Sequence, residues 1–269
     1  MDYEILPPTD DWIFKLLFGD ERRKSTLVDL LKAFVDLPDE EYELTFLDTY
    51  LKPEFEDDKL GIVDVKVRTK SGKIIDIEIQ VCPVKNIGKR LSFYKSKLIV
   101  EQIDKSEGYE VIQRVICICI TNYDLFPGTK DYLNQFRFYN RRNNLCFEDI
   151  PEELFTIELP KVPLKDDGSP LWDWTQFLRS RTKEEFDMIA QKNPEIRKAV
   201  DTLYELSADS TVRAEYEHHE KARRDWINGM NGARLEGKID VARKALAEGL
   251  SIELISKLTG LSLDDITKL

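Results

Sequence analysis

Histidine is almost missing from this chain: His218 and His219 are the two present among 269 residues. They are adjacent in a charged helical stretch, and neighbours on a helix diverge by about 100°, so the pair lacks the spacing of a helical zinc site. Nuclease and protease mechanisms that need a histidine base therefore lose their residue, unless one of these two supplies it. Cysteine is scarce as well. Cys117 and Cys119 alternate within an apolar run, Cys82 and Cys146 stand alone, and no Cys-x-x-Cys pair occurs. That pattern speaks against zinc ribbons and redox motifs and fits buried structural thiols in a reducing compartment. There is no Gly-x-x-x-x-Gly-Lys phosphate loop, no Gly-x-Gly-x-x-Gly and no Gly-x-Ser-x-Gly elbow. No apolar run approaches the ~18–20 residues that span a bilayer. The start Met1-Asp2-Tyr3-Glu4 lacks the basic and apolar regions of a secretory signal. The expectation is a cytoplasmic protein without a membrane partner, whose chemistry must come from carboxylates, lysines and a metal.

What is present begins with an ordinary globular composition, 42% hydrophobic and 10% aromatic. The net charge of −11 argues against a globally basic nucleic-acid binder. It leaves room for a local basic surface. From Val84 to Val100 there is no acidic residue, while Lys85, Lys89, Arg90, Lys95 and Lys97 all occur.

Directly before that stretch stand Ile62-Val63-Asp64-Val65-Lys66-Val67-Arg68 and Ile74-Ile75-Asp76-Ile77-Glu78-Ile79-Gln80-Val81, joined by a short turn. Both alternate apolar and polar residues with period two, and each reads as a half-buried strand. Lys70-Ser71-Gly72 suits a three-residue hairpin loop with Gly72 left-handed. That loop pairs Thr69 with Lys73, Lys66 with Asp76, and Asp64 with Glu78. It also keeps Val63, Val65, Val67, Ile75, Ile77 and Ile79 on one face. A two-residue loop would shift the pairing by one and split the charges between faces. Carboxylates facing each other across a hairpin repel by up to about 1 kcal/mol relative to a neutral pair. A divalent cation would compensate, which makes this a candidate metal site for phosphodiester chemistry. An amphipathic hairpin with a solvated charged face is the alternative.

The remaining pattern predicts a mixed α/β sheet. A helix begins at Asp10-Asp11 and stops at Gly19, and a second spans about Ser25 to Phe34. A strand is expected within Phe46–Leu51, followed by an acidic turn at Glu54-Phe55-Glu56-Asp57-Asp58. The Lys89–Glu107 region reads as helix. Val111–Ile120 is a near-continuous β-branched run that fits a central strand, and Asn134–Arg141 and Phe155–Leu159 are further strand candidates. After a linker at Lys165–Pro170 the chain becomes almost wholly helical, with the charged pattern after Thr211 interrupted by Gly229, Gly232 and Gly237. The predicted division is 1–164 and 165–269.

Mg²⁺ or Mn²⁺ would suit the oxygen donors available. Asp64 and Glu78 are the candidate ligands, with the Ile79 carbonyl as a further one. Gln80, on the same face as Glu78, could orient a water or bond a phosphate oxygen, and Arg90 or a lysine could supply positive charge.

Asp64, a glycine turn, Glu78-x-Gln80 and a following basic helix resemble the PD-(D/E)XK nuclease superfamily. Within it the chain is similar to the Rpn group of recombination-promoting nucleases, also described as transposases. Asp11-Trp12-Ile13-Phe14-Lys15-Leu16-Leu17-Phe18-Gly19 matches that group's opening Asp-x-x-Phe-Lys-x-x-Phe-Gly. Arg90 with Tyr94, Gly108-Tyr109, Thr156–Lys161 and Leu258-Thr259-Gly260-Leu261-Ser262 resemble its later signatures. The resemblance implies a restriction-endonuclease-like αβββαβ core followed by a mostly helical C-terminal region. It implies Mg²⁺-dependent DNA cleavage that promotes recombination or transposition. Asp64 and Glu78 then become metal ligands, Gln80 takes the place of the superfamily's lysine, and Asp11 is a candidate additional acid. Lys85, Lys89, Arg90 and Tyr94 become candidate substrate contacts. Val63 stands where the superfamily is named for proline. A nuclease-fold protein that binds DNA or a protein without cutting is the competing reading. The C-terminal pair Ile252–Leu258 and Leu263–Leu269 resembles a small helix-turn-helix without an evident basic recognition face. A helical hairpin for packing or for a homo-oligomer is the expected role.

Overall fold

Turn chemistry sets the register at the centre of the molecule. In this computed structural model, which describes residues 4–51 and 61–269, Gly72 takes φ +96°. The Thr69 amide donates to the Lys73 carbonyl at 2.8 Å, and the Gly72 amide to Thr69 at 3.0 Å. The loop is the three-residue one. Its flanking strands pair Val65 with Ile77, Lys66 with Asp76, Val67 with Ile75 and Arg68 with Ile74. The register is the expected one, and the ladder ends at Val65–Ile77, one residue short of the expected Asp64–Glu78 pair. The acidic turn expected at Glu54–Asp58 lies outside the described residues.

Glu41 clamps this turn from a neighbouring 3₁₀ segment. Its carboxylate accepts from the Ser71 amide (3.3 Å), the Ser71 hydroxyl (2.8 Å) and Lys73 Nζ (2.8 Å). Burial opposes ionisation, but the bonds from Lys73 and Ser71 outweigh it and hold Glu41 down to about 2. A lowered carboxylate pKa stabilises the fold above the ordinary carboxylate range and ceases to do so as pH falls towards 2. Glu41→Ala should therefore cost about 2 kcal/mol at pH 7. In urea titrations the deficit should shrink markedly at pH 2–3.

The strands are β1 (Thr45–Phe46), β2 (Tyr50–Leu51), β3 (Gly61–Ile62), β4 (Val65–Arg68), β5 (Ile74–Gln80), β6 (Val115–Thr121), β7 (Leu133–Phe136), β8 (Tyr139–Asn140), β9 (Leu145–Cys146) and β10 (Glu152–Glu158). Six form one mixed sheet in the order β1-β4-β5-β6-β10-β7. β5, β6 and β10 run parallel, and the outer pairings are antiparallel. The pairs β2–β3 and β8–β9 are separate ribbons. The expected strands at 46–51 and 134–141 are each divided between two sheets, because the chain leaves the main sheet partway through them.

The helices are α1 (Asp11–Phe18), α2 (Lys24–Phe34), α3 (Ile87–Val100), α4 (Pro170–Arg179), α5 (Lys183–Ile189), α6 (Pro194–Ala208), α7 (Ser210–Ala247), α8 (Ile252–Thr259) and α9 (Leu263–Thr267). α3 ends seven residues short of the expected Glu107. α1 starts where the Asp10 side chain accepts from the amides of Trp12 and Ile13. It stops at Gly19 with φ −91°, so left-handed freedom is not what position 19 needs. A Cβ there would lie 2.7 Å from the Lys15 carbonyl oxygen, which reserves it for glycine.

All seven residues of β5 are buried. The expectation of half-buried strands fails because both faces are covered. α1 packs against β5, while α3 lies over the face of Cys117 and Cys119, which carries Asp76 and Glu78. Val63 also departs from its expected face. It packs with Ile74, Tyr94 and Leu98 under α3, because the chain breaks from β4 beside it.

The chain divides into two compact units, Met1–Ser210 and Thr211–Leu269. The helical stretch does begin after residue 165, but α4 and α6 pack on α2, and Trp174 and Phe177 meet Phe18 at 5.9 and 6.4 Å between rings. The compact division thus falls at 210/211 instead of 164/165. In the second unit α7 packs Ala242 with Ile255, Leu261 and Ile266 of the α8–α9 hairpin. Ser262 caps α9 by accepting from the Asp265 amide at 3.1 Å. α7 runs unbroken through Gly229, Gly232 and Gly237, none of which has a neighbour within 4 Å of a built Cβ. Their flanks are good helix formers, so glycine weakens the helix without ending it. Replacing any of the three by alanine should stabilise the second unit by about 0.5–1 kcal/mol, read as a higher urea midpoint.

Candidate active site

Where β4 peels away from β5, an amide of β5 loses its backbone partner. Extending the antiparallel pairing would bring residue 63 to the Ile79 amide. Val63 instead donates its own amide to Thr49, at 3.0 Å. The Asp64 carboxylate takes the vacated place, accepting from the Ile79 amide at 2.9 Å. Asp64 is thereby fixed beside β5 by backbone geometry. Lys15 of α1 approaches its other oxygen at 3.4 Å.

Period two on β5 places Asp76, Glu78 and Gln80 on the side covered by α3. Lys66 faces Asp76 across the strands as expected, while its Nζ turns to Glu101 at 2.9 Å. Asp76 Oδ2 accepts a weak bond from the Cys117 thiol at 3.5 Å, and its Oδ1 is buried without a hydrogen-bond partner. Glu78 Oε1 is likewise buried and without a partner. Its Oε2 accepts from Gln80 Nε2 at 3.3 Å and faces Arg90 Nη2 at 3.6 Å. Three acids with little solvent around them resist ionisation. Burial first, and then repulsion from a neighbouring carboxylate (Asp11 for Asp64, Asp64 for Asp76, Asp76 and Asp64 for Glu78), pushes Asp64 up to about 6, Asp76 to about 7 and Glu78 to about 10. The same burial pushes the Cys119 thiol up to about 12.

Arg90 comes from the first turn of α3. It bridges the acids to the helix, with Nη1 to Gln80 Oε1 at 3.5 Å and Nε donating to the Tyr94 hydroxyl at 3.1 Å. Its guanidinium lies 5.3 Å from the Tyr94 ring centre. Beside it opens a cleft of about 620 Å³ lined by Lys85, Asn86, Lys89, Arg90, Phe93 and Tyr94. Lys85 and Lys89 are exposed there, whereas Lys95 turns inward to Glu152 at 3.1 Å.

The structure thus gathers Asp64, Glu78, Ile79, Gln80, Arg90 and Tyr94, with Lys85 and Lys89 on the adjoining cleft. Asp11 begins α1 while Asp10 does the capping, and its charge raises the Asp64 pKa. Two site residues escape a reading of the hairpin alone. The cross-strand rule assigns Asp76 to Lys66, although Asp76 shares a face with Glu78. Lys15 follows Asp11 by one helical turn and so shares its face. Among the described residues, one trio of potential ligand side chains has atoms within 4.8 Å of one another: Glu215, His218 and His219 on α7. The adjacent histidines therefore do share a neighbourhood, contrary to the expectation from their helical spacing. Asp64, Asp76 and Glu78 do not form such a trio.

No described helix is long and apolar enough to cross a membrane. Searches of curated proteins and of solved structures return no match. Family comparisons do. Residues 235–269 match the C-terminal HTH domain of the Rpn/YhgA-like nuclease family, which replaces the plain helical hairpin expected for α8–α9 with a helix-turn-helix assignment. Residues 8–233 match the family described as PD-(D/E)XK nuclease family transposase, and the chain belongs to that family.

Proposed function

We propose that this protein is a divalent-metal-dependent DNA endonuclease acting in recombination or transposition. The observation that carries the reading is the pair of buried carboxylate oxygens, Asp76 Oδ1 and Glu78 Oε1, left without partners beside Asp64. Unpaired buried carboxylates are costly, and a hard cation with oxygen ligands is the group that fits them. Asp64, Glu78 and the Ile79 carbonyl would hold Mg²⁺ or Mn²⁺. When bound, the ion lowers the pKa of an attacking water and neutralises charge on the scissile phosphate.

The remaining residues have separable tasks. Gln80 offers a neutral amide that can orient water or bond a phosphate oxygen, and it contributes no charge. Arg90 supplies the positive charge, and Tyr94 holds its fork towards the acids. Lys85 and Lys89 provide phosphate contacts along the cleft, and the C-terminal helix-turn-helix adds duplex binding. The test is nicking of supercoiled plasmid in Mg²⁺ or Mn²⁺. Cleavage should require the metal and vanish with Asp64→Ala or Glu78→Ala.

A second reading, DNA binding without turnover, draws on Gln80, whose amide is engaged by both Glu78 and Arg90. It expects salt-sensitive binding that Glu78→Ala leaves unchanged, with no nicking in any metal.

A further inference from the structure

Far along the sheet from the acids, the chain makes a small ribbon of unusual composition. Tyr132 to Phe147 contains no acidic residue in a protein of net charge −11, and it carries Phe136, Phe138, Tyr139 and Phe147 interleaved with Arg137, Arg141 and Arg142. The β8–β9 ribbon pairs Tyr139 with Cys146 and Asn140 with Leu145, and the Phe147 amide donates to the Phe138 carbonyl at 2.9 Å. Phe138 and Phe147 therefore stand opposite each other. Phe138, Tyr139, Leu145 and Phe147 are 51%, 52%, 64% and 62% exposed. They surround a cleft of about 390 Å³.

The turn at the tip is built. The Arg142 amide bonds Asn140 Oδ1 at 2.9 Å, the Leu145 amide bonds Asn143 Oδ1 at 3.3 Å, and Asn144 takes φ +53°. It projects two arginines. Arg137 is neutralised by Glu148 and Glu153, whereas Arg141 and Arg142 are exposed and carry no ion pair among the described residues.

Exposed aromatic rings next to unneutralised guanidiniums match one ligand chemistry better than others, a polyanion that also presents π faces. Paired DNA hides its bases, so the faces must be unpaired ones. By sheet register Phe136 is level with Leu154, Cys117 and Asp76, three strand spacings or about 14 Å from the acids, with Cys117 and Leu154 between them packed under α3.

We propose that the β8–β9 ribbon is a platform for single-stranded DNA, with bases stacked on Phe138, Tyr139 and Phe147 and phosphates held by Arg141 and Arg142. This rests on the endonuclease reading above and deepens it: the substrate class is DNA with an unpaired segment, such as a fork, flap or gap.

The test is fluorescence anisotropy with a labelled oligo(dT) and an equally long duplex, in EDTA so that cleavage plays no part. The proteins are the full chain, Phe138→Ala/Phe147→Ala, Arg141→Ala/Arg142→Ala and, as the conservative control, Phe138→Trp. Thermal melts establish that each is folded. The aromatic double variant should lose at least tenfold in oligo(dT) affinity and little on duplex. The arginine double variant should lower the salt slope for oligo(dT) by about 1.4, and Phe138→Trp should bind like the parent. Unchanged oligo(dT) binding in the aromatic variant would overturn the platform. So would a parent dimer that the aromatic variant converts to monomer without a change in DNA affinity, which would make the ribbon an interface between copies. Absence of nicking with this binding pattern intact would instead count against the endonuclease reading alone.

Discussion

Glu78→Gln should raise the melting temperature of the metal-free protein at pH 7.5 by about 5–10 °C, and should abolish the further rise that Mg²⁺ or Mn²⁺ gives the parent. Glu78 is fully buried with an unpartnered oxygen, and two more carboxylates lie within its electrostatic reach. Its pKa is raised by burial and then by Asp76 and Asp64, to about 10. For a raised carboxylate the folded state binds the proton more tightly than the unfolded state. Its stabilising contribution is therefore full below the ordinary carboxylate range and is lost as pH climbs towards the folded value. At pH 7.5 the parent folds against a penalty of about 2–4 kcal/mol, which glutamine removes while keeping the shape. For a unit of this size, 1 kcal/mol corresponds to about 2–4 °C. A bound cation relieves the same penalty in the parent, by about 2.7 kcal/mol at a hundredfold excess over Kd. Differential scanning fluorimetry with and without Mn²⁺, from pH 5 to 8.5, reads both effects. The parent's metal increment should grow with pH as the acids ionise.

Plasmid nicking should fall by at least about 10³-fold in Asp64→Ala and in Glu78→Ala. Loss of an ion that both generates the nucleophile and screens the phosphate is worth several kcal/mol, and 4 kcal/mol corresponds to roughly that factor. Arg90→Ala should cost about 10–100-fold, with Arg90→Lys recovering little. A lysine is a point charge and cannot reach Gln80, Glu78 and Tyr94 together as the guanidinium does. Each variant's melting curve separates lost chemistry from lost folding. Equal loss in Asp64→Ala and a remote surface variant would remove the assignment.

Much of the fold and half of the site are legible from short-range rules. Lys70-Ser71-Gly72 dictates the loop, the loop dictates the register, and the register ends at Val65–Ile77 with Asp64 the next residue. What escapes depends on the third dimension. Nothing local announces that the chain leaves β4 at Asp64, so neither the side chain's seizure of the Ile79 amide nor Val63's change of face can be read. Alternation alone cannot tell a solvated charged face from one roofed by α3, so it supports half-buried strands and no more. Lys66 prefers a helix partner at Glu101 to the aspartate facing it, because position 101 is close only once α3 packs. Likewise the composition change after residue 164 marks a change of secondary structure, whereas the compact boundary follows the burial of Trp174 and Phe177 against α1.

Crystals soaked in Mn²⁺ and measured at an energy where manganese scatters anomalously test the buried acids most directly. The expected result is a peak bonded to Asp64 and Glu78, at about 2.1–2.2 Å, that Glu78→Gln removes. No peak there, or manganese found solely at Glu215, His218 and His219, would contradict a metal centre at the hairpin.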